Sequence, residues 1–453
     1  MSETVAPRSL RARLPALAAR ATGNTSVLLG STVAQAVLRF GSNVVVTRFL
    51  VPDDFAVVLV ISTLAYTISL LTDTGVAPFV VRSEKSVSKA ALDTVWTVNV
   101  LRGLFIGTVL FLAAPLAADV FDDERLIGAV RVAAFLIALT EFRSMGFFVA
   151  MRRQDERRNA LVRLGVYAAQ LPVMIVGAWL IGNYWALILS IGATNLLTVI
   201  ASYAFYGQRH RPRLDRTALG DLWRFSRLIA ASSAVGLVVM QFDRYFLAAV
   251  APKDVVGVYY LALMLVVTAE EMIHRWGRSV YMPVVSAQLR AGHHGPRTYY
   301  DPQRLVRPAI LFLASMGVLL GPAFFTIVFP PEYAAGGAFL SLLSIRTVFA
   351  MLNQPSEAFL VADGGQRQVL ISNAVRLGWT VIAGTAAFLY FGLYGLVLAI
   401  CLRDVLPIIA QHAALARKGL FRSRRELPAV AAIGAGLLMG FAADQALRGL
   451  GLA

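Results

Sequence analysis

By depth, eleven charged side chains fall near the middle of stretches otherwise apolar enough to cross a bilayer: Arg39, Arg102, Glu141, Arg143, Glu270, Glu271, Arg275, Arg346, Arg376, Arg403 and Asp404. A charge near the bilayer centre costs at least ~2.5–3.5 kcal/mol, so each needs a partner or a task. Seven are arginines and four are carboxylates, a surplus suited to an anion, because guanidinium stays charged and its fork matches phosphate oxygens. Arg39, Arg102 and Arg346 have no acidic residue close in sequence. With Arg143 they are the candidate lining of a water-filled cationic cavity that receives an anion, and pairing with an acid on another helix is the competing arrangement for each. Glu271 with Arg275, Asp404 with Arg403, and Asp243 with Arg244 read as local ion pairs. Arg376 and Arg278 lie nearer one surface, where snorkelling to the headgroups accounts for them.

Other polar groups fill out the candidate site. Gln35, Asn43, Asn99, Asn353 and Gln354 could hold sugar hydroxyls along a cavity wall or bond between helices. Glu270, Glu271, His274 and Glu357 could take up a proton or cation to couple transport, with packing or pairing as the alternative. Arg48, Asp54, Asp73, Asp243 and Arg244 sit near helix ends, as hairpin or gating residues do. Pro355 is expected to break its helix locally, and Trp96, Trp223 and Tyr299 read as interface anchors.

The elements that must position these groups are all membrane helices. With 58% hydrophobic residues and a mean hydropathy of +0.67 over 453 residues, the chain is far more apolar than a soluble domain. A helix needs roughly 20 apolar residues to cross, and thirteen stretches qualify: 24–50, 54–80, 90–118, 126–150, 160–181, 184–206, 222–250, 256–287, 304–329, 335–362, 368–390, 393–415 and 427–448. The formal charge of +16 falls on every second connection, the positive-inside pattern rather than a nucleic-acid footprint. Arg152, Arg153, Arg157 and Arg158 mark one side, and Asp119, Asp122, Asp123 and Glu124 the other. This places the N-terminus in the cytoplasm and the C-terminus outside a bacterial inner membrane.

A turn repeats two hundred residues apart: Pro52 and Asp54 match Pro252 and Asp254, each leading from the first helix of a six-span block into the second. The expected organisation is an all-α bundle of two parallel-repeated six-helix lobes. Residues 1–23 form a cytoplasmic basic tail, 24–206 the first lobe, 207–221 a basic linker and 222–415 the second lobe. Residues 416–453 form a basic loop and an extra C-terminal helix.

Four segments carry a family resemblance: Arg48-Phe-Leu-Val-Pro-Asp-Asp-Phe55, Leu71-Thr-Asp73-Thr-Gly75-Val76, Gln241-Phe-Asp243-Arg244 with Gly257-Val-Tyr259, and Ala362-Asp-Gly-Gly365-Gln-Arg367. In their order they resemble Wzx-type lipid-linked oligosaccharide flippases of the multidrug/oligosaccharidyl-lipid/polysaccharide (MOP) superfamily, with Ala56 where that family usually has glycine. The resemblance implies alternating access and turnover of undecaprenyl-diphosphate-linked sugar units for O-antigen, capsule or exopolysaccharide. It leaves membrane lipid and polysaccharide polymerases or assembly enzymes as partners.

Two other readings are weighed against it. An ion-coupled exporter of a small amphipathic molecule would line its cavity with acids. A membrane enzyme of polysaccharide assembly would need larger outer loops than the short connections here. No Gly-rich phosphate loop, Ser/His/Asp set or His/Cys metal cluster is legible, and no cofactor is expected. The single cysteine, Cys401, lies within a span.

Overall fold

The computed structural model describes residues 30–72, 75–82, 88–153 and 155–451; the N-terminal tail and Asp73 lie outside them. Among the described residues there is no strand. The helices are α1 (30–46), α2 (Pro52–Leu71), α3 (Val76–Arg82), α4 (Lys89–Phe121), α5 (Arg125–Thr140), α6 (Gly146–Arg152), α7 (Glu156–Ile181), α8 (Trp185–Tyr206) and α9 (Arg216–Val250). They continue as α10 (Lys253–Trp276), α11 (Met282–Arg290), α12 (Pro296–Tyr300), α13 (Val306–Val328), α14 (Gly336–Ala362), α15 (Gln366–Cys401), α16 (Val405–Arg417) and α17 (Ser423–Gly449). Among the described residues nine stretches are long and apolar enough to span a membrane; one of them, Arg367–Arg417, turns at Gly392 with φ +66°. The protein is a multi-pass membrane protein.

Local chemistry sets the helix ends. Ser88, Asp155 and Asp215 cap α4, α7 and α9 by accepting backbone N–H bonds from Ala91, Arg158, and Thr217 with Ala218. Gly182 and Gly207 end α7 and α8 in the left-handed region that glycine enters at no steric cost. Helices before residue 206 pack mainly on one another, as α4 on α5, α5 on α8 and α7 on α8. Those after 216 do likewise, as α9 on α15, α10 on α14, α14 on α13 and α17 along α13; α2 bridges the groups by meeting α9 and α10.

The largest buried cluster joins both groups at one end of the bundle, the end of the Pro52 and Pro252 turns. It brings Leu50, Phe55 and Leu59 against Tyr259, Phe325, Phe329 and Tyr333. Gly257 permits the approach: a Cβ there would lie 1.7 Å from the Pro52 carbonyl oxygen. Polar bonds close the same end. Tyr333 Oη donates to Leu50 O at 2.7 Å, Arg48 donates to Val328 O at 2.9 Å, and Lys253 donates to Asp122 O at 2.7 Å. Asp54 accepts from Val51 N and Tyr184 N, so it fixes α2 to the α7–α8 turn. Asp123, also at this end, is half-buried, which alone would raise its pKa, but Arg125 and then Lys253 outweigh that and hold its carboxyl below the usual range.

Two expectations about helix continuity are corrected. Pro355 does not break its helix; α14 runs through it, since packed neighbours can satisfy a backbone group that proline frees. The predicted span 126–150 is instead broken at residues 141–145 between α5 and α6.

Candidate functional site

The break between α5 and α6 survives because every chain around it supplies partners for its backbone. Phe142 O accepts from Trp96 Nε1 at 3.3 Å and Tyr203 Oη at 2.8 Å, and Glu141 O accepts from Asn99 Nδ2 at 3.2 Å. Ser144 N donates to Ser202 Oγ at 2.8 Å and Met145 N to His210 Nε2 at 3.1 Å. Backbone polar groups freed inside a membrane need such partners, and here they hold Arg143 at the bend.

Arg143 faces a cavity of about 310 Å³ at the end of the bundle opposite the Pro52 turn. The lining comes from one stripe per helix: Thr32, Gln35 and Arg39 on α1; Arg163 and Tyr167 on α7; Thr194, Thr198, Ser202 and Tyr206 on α8; Thr268, Glu271 and Arg275 on α10. Four guanidinium groups thus share the space with one carboxylate. Arg143 lies over the Phe148 ring at 5.1 Å and Arg163 over Phe147 at 6.0 Å, and Arg275 donates to Thr32 Oγ1 at 2.7 Å. Arg39 makes no ion pair to any described acid. The hydroxyls of Thr194, Thr198 and Thr268 donate to carbonyls one turn back, leaving oxygen lone pairs towards the cavity. Chemically this is a polar pocket with surplus positive charge, hydroxyls and two tyrosine rings, matched to an anionic head joined to polyols.

Of the residues singled out in the sequence, Gln35, Arg39, Arg143, Glu271 and Arg275 come together here. Arg102 and Arg346 do not; each takes the competing arrangement, pairing with an acid on another element. Arg102 lies 3.5 Å from Glu141 and donates to Ser69 O at 2.8 Å. Arg346 grips Glu270 in a fork of 2.7 and 2.6 Å, with Asp243 at 3.9 Å, and its side chain is 7% exposed.

Two of the three local pairings are corrected as well, and the third, Asp404 with Arg403, is joined by a closer partner. Asp243 bonds the Tyr259 hydroxyl and is not paired with Arg244, since consecutive residues on a helix do not face each other; the Arg244 Nε is buried without a described partner. Asp404 takes Arg376 at 2.6 Å, with Arg403 at 4.0 Å. Arg376 is therefore buried against Asp404 and Glu357 rather than snorkelling. Glu271 and Arg275 form no ion pair with each other and both line the cavity.

The remaining polar candidates are bonded to neighbours. Asn99 bonds Glu141, Asn353 donates to Glu357 at 2.9 Å, and His274 Nδ1 lies 2.7 Å from Gln354 Oε1; Asn43 is buried in α1. Tyr299 is fully buried with its hydroxyl on Ser356, and Trp96 stacks on His210, so neither is an interface anchor, whereas Trp223 is 72% exposed.

Three features went unread in the sequence. Arg163 lies only three residues into the span 160–181, next to the basic residues of the connection before it. The α8 stripe was visible as Thr194, Thr198, Ser202 and Tyr206 at every fourth position, a helical face that repetition alone could have revealed. His210, in the connection between α8 and α9, is a buried clamp. Its Nε2 accepts from Met145 N, so the ring is neutral and Nδ1 donates to Asp93 at 3.2 Å. Burial pushes this imidazole below its ordinary value of 6.5, with the Asp93 bond opposing.

A sealed end, a polar cavity at the other and helices packed in two groups make this a multi-pass helical membrane bundle. The chain belongs to the family described as "Polysaccharide biosynthesis protein", whose model matches residues 45–329. It is similar to the teichuronic acid biosynthesis protein TuaB of Bacillus subtilis (strain 168), at 20% identity over 60% of this chain and 57% of that protein. The chain thus spans little more than half the length of that relative. Among solved structures it resembles the lipid II flippase MurJ in an inward closed conformation, with TM-score 0.65 and 11% identity over 93% of this chain and 99% of that one. It also resembles an inward-facing multidrug resistance MATE family transporter of the MOP superfamily, with TM-score 0.63 and 16% identity over 86% of this chain and 98% of that one. The fold is that of MOP transporters.

Proposed function

We propose that this protein flips undecaprenyl-diphosphate-linked oligosaccharide across the inner membrane for surface polysaccharide assembly. The observation that carries the reading is the cavity: Arg39, Arg143, Arg163 and Arg275 against the single acid Glu271. Two adjacent phosphates offer fork-shaped acceptors that guanidinium groups match bidentately. At about 310 Å³ the space sits at the lower end of ligand pockets, so it suits the diphosphate and the nearest sugar, with the rest of the glycan extending out of the mouth. Positive-inside loops put that mouth on the cytoplasmic side, where such a lipid would enter.

In this reading the lobes 24–206 and 222–415 rock about α2, opening the sealed end as the cavity end closes. The roles of TuaB, in teichuronic acid biosynthesis, and MurJ, in flipping lipid II, support a lipid-linked glycan as cargo. An exporter of small cations is disfavoured by the arginine surplus, which would repel them.

The test is deletion of the gene followed by complementation with wild type or Arg39→Ala. The reading expects lipid-linked glycan to accumulate on the cytoplasmic face of the deletion strain and to be cleared by wild type but not by the expressed variant. Unchanged glycan lipids and surface polysaccharide in the deletion strain would overturn it.

A further inference from the structure

We propose a second anion site, apart from the arginine-lined cavity: a seat for the headgroup of an anionic phospholipid between the α11–α12 turn and the base of α13 and α17. Two adjoining hollows meet there and share Asp301, Arg424 and Arg425. The larger, about 870 Å³, adds His293, His294, Arg297 and Arg422; the smaller, about 280 Å³, adds Arg304 and runs down between Pro308 and Pro428.

The site stands on a rigid floor. Arg307 grips Glu426 at 2.7 and 3.2 Å, Tyr300 Oη donates to Glu426 at 2.9 Å, and Arg422 N donates to Tyr300 Oη at 3.2 Å. These bonds fix the start of α17 to α12 and use Glu426 up. Arg425 is 3.6 Å from Asp301 and lies over the Tyr300 ring at 5.7 Å. Arg297, Arg304 and Arg424 remain, all exposed and with no described acid paired to them.

What surrounds the charge points to lipid rather than a soluble anion. Leu305 is 77% exposed beside Arg304, and Leu427 and Val430 are each 62% exposed just below Arg424 on α17. Large apolar side chains left uncovered at the ends of membrane-spanning helices face acyl chains, and the arginines stand one turn above them, at headgroup depth. Each basic residue held near an anionic leaflet contributes about 1 kcal/mol, roughly a fivefold gain in binding. A phosphate sits in the hollow while its tails lie along the smaller groove.

The experiment is native mass spectrometry of the full chain in detergent, titrated with phosphatidylglycerol or phosphatidylcholine, with thermal unfolding in inorganic phosphate as the soluble arm. It compares wild type, Arg297→Gln/Arg304→Gln/Arg424→Gln, and the equally charge-reduced control Arg211→Gln/Arg216→Gln/Arg224→Gln. The expected result is a retained phosphatidylglycerol, on the order of a hundredfold weaker in the first variant and unchanged in the control. The proposal is overturned if phosphatidylcholine is retained equally, if both variants lose lipid alike, if the first variant binds as wild type, or if inorganic phosphate raises the wild-type unfolding midpoint and the first variant loses that rise, which would mark a soluble-anion site.

Discussion

Arg346→Ala and Arg39→Ala should fail in opposite ways. Arg346 is 7% exposed and Glu270 13%, with both fork bonds under 2.8 Å. Removing one member of such a pair strands the other carboxylate in a dry interior, a loss of about 3–5 kcal/mol from a total stability of about 5–15 kcal/mol. Asp243, 3.9 Å from Arg346, loses a nearby cation in the same step and adds to the cost. Replacing both partners, Arg346→Met with Glu270→Met, removes charge and counter-charge together and should recover most of the loss, because a buried pair often gains little over apolar groups of similar size. Arg39 is half-buried, lines the cavity and has no described acid to strand. Arg39→Ala should therefore change stability by no more than about 0.5 kcal/mol. The charge-assisted bond it would offer a phosphate is worth about 1.5–3 kcal/mol, roughly 10- to 150-fold in substrate affinity. Fluorescence-monitored thermal unfolding in detergent reads the first quantity, and complementation at matched expression reads the second. An Arg346→Ala protein that unfolds like wild type yet cannot transport, or an Arg39→Ala protein with a collapsed midpoint, would refute the division between framework and working arginines.

Three further outcomes follow from the geometry. Gly257→Val places atoms against the Pro52 carbonyl, from whose oxygen even the first of them, the Cβ, would lie only 1.7 Å; overpacking should cost at least ~1–3 kcal/mol and impair transport. Gly434→Ala, which meets nothing within 4 Å, should leave both unchanged. Because burial depresses the His210 pKa, its contribution to stability is present above the unfolded value near 6.5 and is lost as pH falls through the lower folded value; the wild-type unfolding midpoint should drop in acid more steeply than that of His210→Gln. Cys401, the chain's one cysteine and fully buried, should resist a membrane-permeable maleimide in the folded protein and react once it unfolds; labelling under native conditions would contradict the packing around it.

The helices were legible because a bilayer demands about twenty apolar residues per crossing and the chain provides them between charged turns. The charge partners were not, because they are joined by packing rather than by sequence spacing. Arg346 and Glu270 are 76 positions apart, and Arg376 and Asp404 are 28, whereas the legible rule concerns residues three or four apart. That rule misled at Glu271 and Arg275, which sit at the right spacing but turn towards a cavity. The two helix interruptions err in opposite senses for one reason. Pro355 promised a break that the packing around α14 absorbed, while residues 141–145, with no proline, break because Trp96, Tyr203, Asn99, Ser202 and His210 bond the freed backbone.

In the proposed transport cycle, that break ties recognition to conformation. Arg143 lies over Phe148 on α6, beside a bend whose backbone is held by α4, by α8 and by His210 of the α8–α9 connection. Any rearrangement of the second helix group that pulls on residues 207–215 strains the His210 clamp, because Arg213 N and Asp215 N also donate to Thr97 and Thr94 of α4. The far end offers a counterpart in Arg48, Lys253 and Tyr333, whose bonds to carbonyl oxygens can each be replaced by water when the end opens. In the proposed alternating access the buried pairs of Arg346 and Arg376 have no such exchange available and would move as rigid parts of the second group. Two kinds of polar contact thus separate by what replaces them on opening: exchangeable bonds lie where the helix groups part, and non-exchangeable ones lie within a group. A cargo held by Arg39 and Arg275 alone would bridge α1 and α10, while one that also engages Arg143 reaches the bend and, through it, the connection between the groups.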